Sequence, residues 1–242
     1  FLLGASVDYY PYILTATENI YVPIPTTNMP VYISSTIRDS ANNIFFAGAT
    51  DIGSPFGNEY NTQFIGKLNS SNTFEWGRWI GGYASSSLAA FISPGSTVCL
   101  DSSGNAYVLF GQWYYDAGYL TNYYDTLLYK FDTNGNIIWA RQIQSAITNP
   151  TGDNGGFKPT SIVINASDPT HMYITGNAGF NWVDTEGYYL GYCDYMAVTL
   201  KLRVDGSGLG TYTISGDTSI LYTSTTAVVS NFTVSTITYP VP

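Results

Sequence analysis

The sequence predicts an all-β fold, a β-propeller or propeller-like array of about four antiparallel four-stranded sheets. Three observations predict it. Runs rich in Val, Ile, Thr, Tyr and Phe recur between clusters of Gly, Asn, Asp and Ser, and no helical period is present. A turn followed by an apolar run repeats as "DSANNIFFAG" (39–48), "DSSGNAYVLFG" (101–111) and, loosely, "NASDPTHMYITG" (165–176). A second pattern repeats as "FIGKLNSSNTFEWGRWI" (64–80), "LLYKFDTNGNIIWARQI" (127–143) and "AVTLKLRVDGSGLGTYTI" (197–214). Lys67, Lys130 and Lys201 share one position of that pattern, and Trp76 and Trp139 share another.

Taken in order, residues 1–33 carry strand-like pieces, "YYPYILTA" and "NIYVPIP", that close or connect the array. Residues 34–214 hold three units, about 34–83, 97–145 and 160–214. Each unit reads as strand, turn, strand, long loop, strand, turn, strand, and a repeat above about 40 residues with four strands suits a propeller blade. The turns have a plain cause. Asp or Asn at the start bonds its own backbone, and Gly or Asn accepts a positive φ. The run after the turn, such as "AYVLF", is apolar on both faces, as a strand between two neighbouring sheets must be. Residues 215–242 are Ser/Thr-rich and offer further strands, "SILYTS", "AVVSNFTV" and "TITYPV".

Composition excludes several function classes. The 242 residues carry a net charge of −9 with eight Lys and Arg, so no basic cluster exists to bind nucleic acid. No apolar run reaches the roughly 20 residues of a membrane helix. Charged residues make up 10% against about 25% in ordinary soluble domains, and Ser, Thr, Asn and Tyr supply the polarity instead. That texture fits an extracellular or virion setting. The sequence starts at Phe1, which suggests processing or excision from a longer chain. Cys99 and Cys193 are isolated from each other and from His171, which speaks against zinc and leaves either a disulfide or two buried thiols.

The motif halves "DSSGNAYVLFG" and "YKFDTNGNIIWARQI" resemble the bacterial β-propeller repeat family of the SBBP type over about residues 34–214. In the third unit Thr211 stands roughly where that family has Trp. The segment from "DGSGLGTYTISG" through "SILYTSTTAVVSNFTVST" is similar to repeat-bearing virion proteins of tailed phages of marine cyanobacteria. That resemblance implies a tail-fibre or capsid-surface component.

No catalytic set emerges. His171 is the only histidine and sits in a turn, and no G-x-S-x-G elbow is present. Asp116, Asp125, Asp184, Glu186 and Asp194 lie near the long loops, with no spacing that singles out a pair. The "DSSGN" and "DTNGN" turns lack a calcium-loop spacing. Neither a cofactor nor a metal is expected. The candidate binding residues are aromatic. One stretch holds Trp113, Tyr114, Tyr115, Tyr119, Tyr123 and Tyr124, and a second holds Trp182, Tyr188 and Tyr189. Tyr and Trp give contact area and a polar handle at low entropy cost, which suits protein or sugar contacts.

The expected function is a non-enzymatic virion structural or surface component, a tail-fibre, capsid-surface or adhesin segment whose partners are other copies or other virion proteins. The alternative is a secreted or cell-surface module binding a host glycan through the aromatic loops. Asn69, Asn165 and Asn231 head glycosylation sequons that matter only in a eukaryotic secretory setting.

Overall fold

A computed structural model describes residues 2–7, 10–15, 18–24, 31–50, 62–81, 88–92, 96–116, 121–145, 156–179, 181–183, 189–192, 196–215, 218–225 and 228–240. All regular structure among them is strand. The chain opens with β1 (Leu2–Val7), β2 (Tyr10–Thr15) and β3 (Glu18–Tyr21). The first repeat gives β4 (Val31–Arg38), β5 (Ile44–Thr50), β6 (Thr62–Leu68) and β7 (Phe74–Gly81). The second gives β8 (Leu88–Ile92), β9 (Thr97–Leu100), β10 (Ala106–Asp116), β11 (Thr121–Phe131) and β12 (Ile137–Ser145). The third gives β13 (Gly156–Asn165), β14 (Asp168–Gly179), β15 (Asn181–Val183), β16 (Tyr189–Tyr192) and β17 (Met196–Arg203). The third unit's sequence ends in β18 (Gly210–Ser215), and the C-terminal region adds β19 (Thr218–Ser224), β20 (Val228–Phe232) and β21 (Ile237–Pro240).

Four antiparallel sheets follow the chain, each built mainly from one of these groups. The first is ordered β1-β2-β3-β21 and the second β20-β7-β6-β5-β4. The third is ordered β18-β19-β12-β11-β10-β8, with β9 also on β10, and the fourth is β13-β14-β17. A short ribbon pairs β15 with β16. Strand numbers therefore depart from the expected four per sheet, being four, five, seven and three. The cause is the C-terminal region, which runs back across the array. After the β18–β19 hairpin joins β12, β20 pairs with β7 and β21 pairs with β3. The first and second sheets each gain one outer strand; the third gains two and also carries both β8 and β9 on β10, while among the described residues the fourth sheet has no counterpart of the repeat's last strand. The β18 strand pairs with β19 instead of β17.

Alternation along the strands assigns three cores. In β5, Ile44 and Phe46 face the first sheet's Ile13 and Ile20, while Phe45 and Ala47 face the third sheet's Val108 and Phe131. In β10, Val108 and Phe110 face the second sheet, and Tyr107 and Leu109 face Ile174 and Leu200 of the fourth. The two middle sheets are thus apolar on both faces. The fourth is apolar on one: Val198, Leu200 and Leu202 are buried, and Ala197, Thr199, Lys201 and Arg203 between them are exposed. Among the described residues, no core joins the fourth sheet to the first.

Candidate functional site

The repeat places one structural device at each of two sheet junctions. It starts from the turn. Asp132 Oδ1 accepts the N–H groups of Asn134 and Asn136 at 2.9 and 2.8 Å, and its Oδ2 accepts the Asn136 amide at 2.9 Å. Gly135 N–H closes the turn on Asp132 O at 3.0 Å, with Gly135 at φ +76°. Such a geometry is a three-residue hairpin loop that ends in the left-handed region. Asp39 and Asp101 hold their turns in the same way.

The turn at 132–136 is gripped by the second sheet. Trp76 Nε1 donates to Thr133 O at 3.0 Å, and Lys67 Nζ lies 3.4 Å from the same oxygen. Arg78 Nε donates to Gly135 O at 2.8 Å and Nη2 to Asn134 O at 3.2 Å, with the guanidinium over the Trp76 ring. Burial lowers the pKa of Arg78, while Asp132 opposes the shift. A Cβ on Gly135 would stand 2.6 Å from the indole, so this position needs glycine for space as well as for φ.

The next junction repeats the grip one sheet further on. Arg141 Nε donates to Gly206 O at 2.8 Å, and its guanidinium lies over Trp139. Gly206 has φ +75°, and a Cβ there would meet both Trp139 and Arg141. The acceptor that corresponds to Thr133 O is Val204 O, reached by Tyr107 OH at 3.1 Å and Lys130 Nζ at 3.5 Å. Here the donor has changed residue. Trp139 Nε1 is buried without an acceptor among the described residues, and the Tyr107 phenol supplies the bond that Trp76 supplies at the other junction. Position 45, which corresponds to Tyr107, is Phe.

The charges support this arrangement. Asp101 Oδ2 lies 3.4 Å from Lys130 Nζ and 3.1 Å from Tyr107 OH. Burial works to raise the Asp101 pKa, but Asn105, the turn N–H groups and Lys130 outweigh it and the net shift is downward. Tyr107 is pushed well above the ordinary phenol range by burial and then by Asp101. Cys99 is a buried free thiol whose pKa is pushed up to about 12 by burial and then by Asp101, which keeps it protonated at neutral pH. Cys193 lies outside the described residues.

The third unit keeps part of the device and leaves it uncovered. Asp168 Oδ2 binds Lys201 Nζ and Tyr173 OH at 2.9 Å each, and Oδ1 lies 2.9 Å from His171 Nδ1. His171, then Lys201, hold the Asp168 carboxyl far below the usual carboxylate range. The Lys201 side chain is 51% exposed, against 10% for Lys67 and 12% for Lys130.

The residues nominated by the sequence are placed differently. Among the described residues, the first aromatic stretch is strand, not loop. It extends β10 and β11, with Trp113 paired to Tyr124, Tyr114 to Tyr123 and Tyr115 to Asn122, and β8 adds Phe91 opposite Trp113. Aromatic and Thr-rich segments favour a pleated, paired backbone, which accounts for the longer strands. Trp182 and Tyr189 fall in the β15–β16 ribbon, opposite Gly191 and Val183. Tyr119 and Tyr188 lie outside the described residues, as do Asp184, Glu186 and Asp194. Among the described residues, no three His, Cys, Asp or Glu side chains are grouped to hold a metal. The sequence marked the shared Lys and Trp positions but missed Arg78 and Arg141. The W-x-R spacing common to both units was the available signal.

Comparison with protein-family models and with curated proteins finds no match for the chain.

Proposed function

We propose that this chain is a non-enzymatic structural component of a virion or cell surface, a propeller-type repeat array acting through protein–protein contacts with other copies or other particle proteins. The observation that carries this reading is the use of the repeat's own charged and aromatic side chains. Lys67, Trp76 and Arg78 are spent on the next sheet's turn, as are Tyr107, Lys130 and Arg141. Residues that define the repeat therefore act chiefly in cohesion between sheets. The C-terminal strands reinforce the same end by tying the third, second and first sheets edge to edge.

Gentle sedimentation of the native source, with peptide mass spectrometry of each fraction, tests the proposal. Peptides confined to particle-sized fractions support it, and a freely soluble chain sinks it. Acetylation footprinting tests the arrangement of the array. An open array leaves Lys201 reactive and protects Lys67 and Lys130, whereas a closed ring protects all three.

A further inference from the structure

A cleft of about 460 Å³ opens beside the first clamp, where the second and third sheets meet. Its floor is aromatic, with Trp76 and Phe232 almost wholly buried, and its rim includes Glu75, Arg78, Asn134 and Asn231. Arg78 uses three of its five N–H groups on the carbonyls of Gly135, Gly77 and Asn134, which leaves two to donate. Glu75 binds Lys67 through Oε2 at 2.7 Å and keeps Oε1 as an acceptor, with its side chain 37% exposed. The side-chain amides of Asn134 and Asn231 make no hydrogen bond with a described residue.

We propose that this cleft binds a neutral carbohydrate, one or two sugar rings in size. A hydroxyl group can accept from a guanidinium and donate to a carboxylate, so neighbouring hydroxyls on one ring satisfy both ends of the rim. The C–H face of the ring suits the apolar floor. An anion would meet Glu75, and a cation would meet Arg78. The volume lies within the range of about 300–1,000 Å³ typical of small-molecule sites.

The sister junction provides an internal control. There Ile138 holds the register position of Glu75, Ser224 pairs with Arg141 where Asn231 pairs with Arg78, and Asp205 is already engaged by Arg203 and Ser207. The proposed site is also separate from the aromatic β10–β11 hairpin, and it stands whether or not the chain is part of a virion.

The experiment uses the full chain made in bacteria, so that the Asn231 sequon stays unmodified. A glycan array is followed by calorimetric titration with the free mono- or disaccharide that scores. Glu75→Gln and Asn231→Ala should each weaken binding by about tenfold, the scale set by one charge-assisted or amide hydrogen bond. Ile138→Ala should leave it within about twofold. Asn231 is exposed on an edge strand, so its variant stays informative should Glu75→Gln fold poorly. A wild-type chain that binds no glycan overturns the proposal. So does binding that survives both rim substitutions, or that is abolished by Trp113→Ala and not by them.

Discussion

Lys130 and Lys201 occupy the same place in successive repeats and live in different surroundings. Lys130 lies beneath the fourth sheet's turn, beside Val204 O and Asp101, whereas Lys201 faces solvent and pairs with Asp168. The same Asp, Tyr and Lys trio serves both. What differs is the strand that follows. After Lys130 comes a strand bearing Trp139 and Arg141 that stays in its own sheet. After Lys201 comes a glycine-rich turn, then a strand with Thr211 and Thr213 at exposed positions that crosses to β19. The trio is therefore not enough to seat another sheet. At the two junctions that follow, the W-x-R strand supplies the grip, and its loss in the third unit accompanies a polar outer face.

Several substitutions would break or sharpen this contrast. Trp76→Ala and Trp139→Ala should each cost about 3–5 kcal/mol in urea denaturation, as large buried rings do. Gly135→Ala and Gly206→Ala should follow at about 2–4 kcal/mol, combining left-handed strain with overpacking against the indole. Gly208→Ala is the informative companion, because its φ is also positive but no indole lies against it. It should cost mainly the strain, about 1–2 kcal/mol, because the Tyr212 hydroxyl 3.1 Å from the added Cβ ends an exposed side chain that can move.

Single-atom changes discriminate more finely. Trp76→Phe removes a bonded donor and should cost about 1–2 kcal/mol, while Trp139→Phe removes a donor without an acceptor and should be close to neutral in hydrogen-bond terms. Tyr107→Phe should resemble Trp76→Phe, since the phenol does the indole's work at that junction. Lys201→Ala should leave the urea midpoint nearly unchanged, as expected of an exposed pair. Equal costs at Lys130 and Lys201 would contradict the contrast.

The pH dependence has two limbs. Asp101 and Asp132 have folded pKa values below their unfolded ones, so their contribution is complete above the unfolded carboxylate pKa and is lost as pH falls through the folded values. Cys99 and Tyr107 are raised, so their contribution is complete below the unfolded thiol and phenol values, about 8.5 and 10. It declines as pH rises beyond them. Tyr107→Phe should make the alkaline limb shallower, with Cys99, Tyr129 and Tyr222 still contributing, while the acid limb persists, measured by urea midpoints across pH.

The all-β class and the turns were legible in the sequence because each rests on local chemistry: the Asp side chain capping its own turn, the left-handed Gly or Asn, and apolar runs with two buried faces. The partner of each turn was not legible. Arg78 meets Gly135 and Arg141 meets Gly206 across more than 50 positions of sequence, and nothing local in either residue announces that meeting. The return of β19, β20 and β21 along the sheets was equally hidden, because an edge strand pairs through its backbone and leaves little side-chain signature. The aromatic stretch 112–125 was misread as a loop because its Gly, Asp and Asn residues look like turn signals, although the backbone pairs through most of it.

The central claim is that each W-x-R strand holds the turn of the next sheet. Amide hydrogen exchange on Arg78→Ala tests it most directly. The claim predicts reduced protection at Gly135 and Asn136 and along the strands of the second–third junction, with the Gly206 turn still protected. Faster exchange confined to β7, with the 132–136 turn as protected as in the wild type, would contradict it.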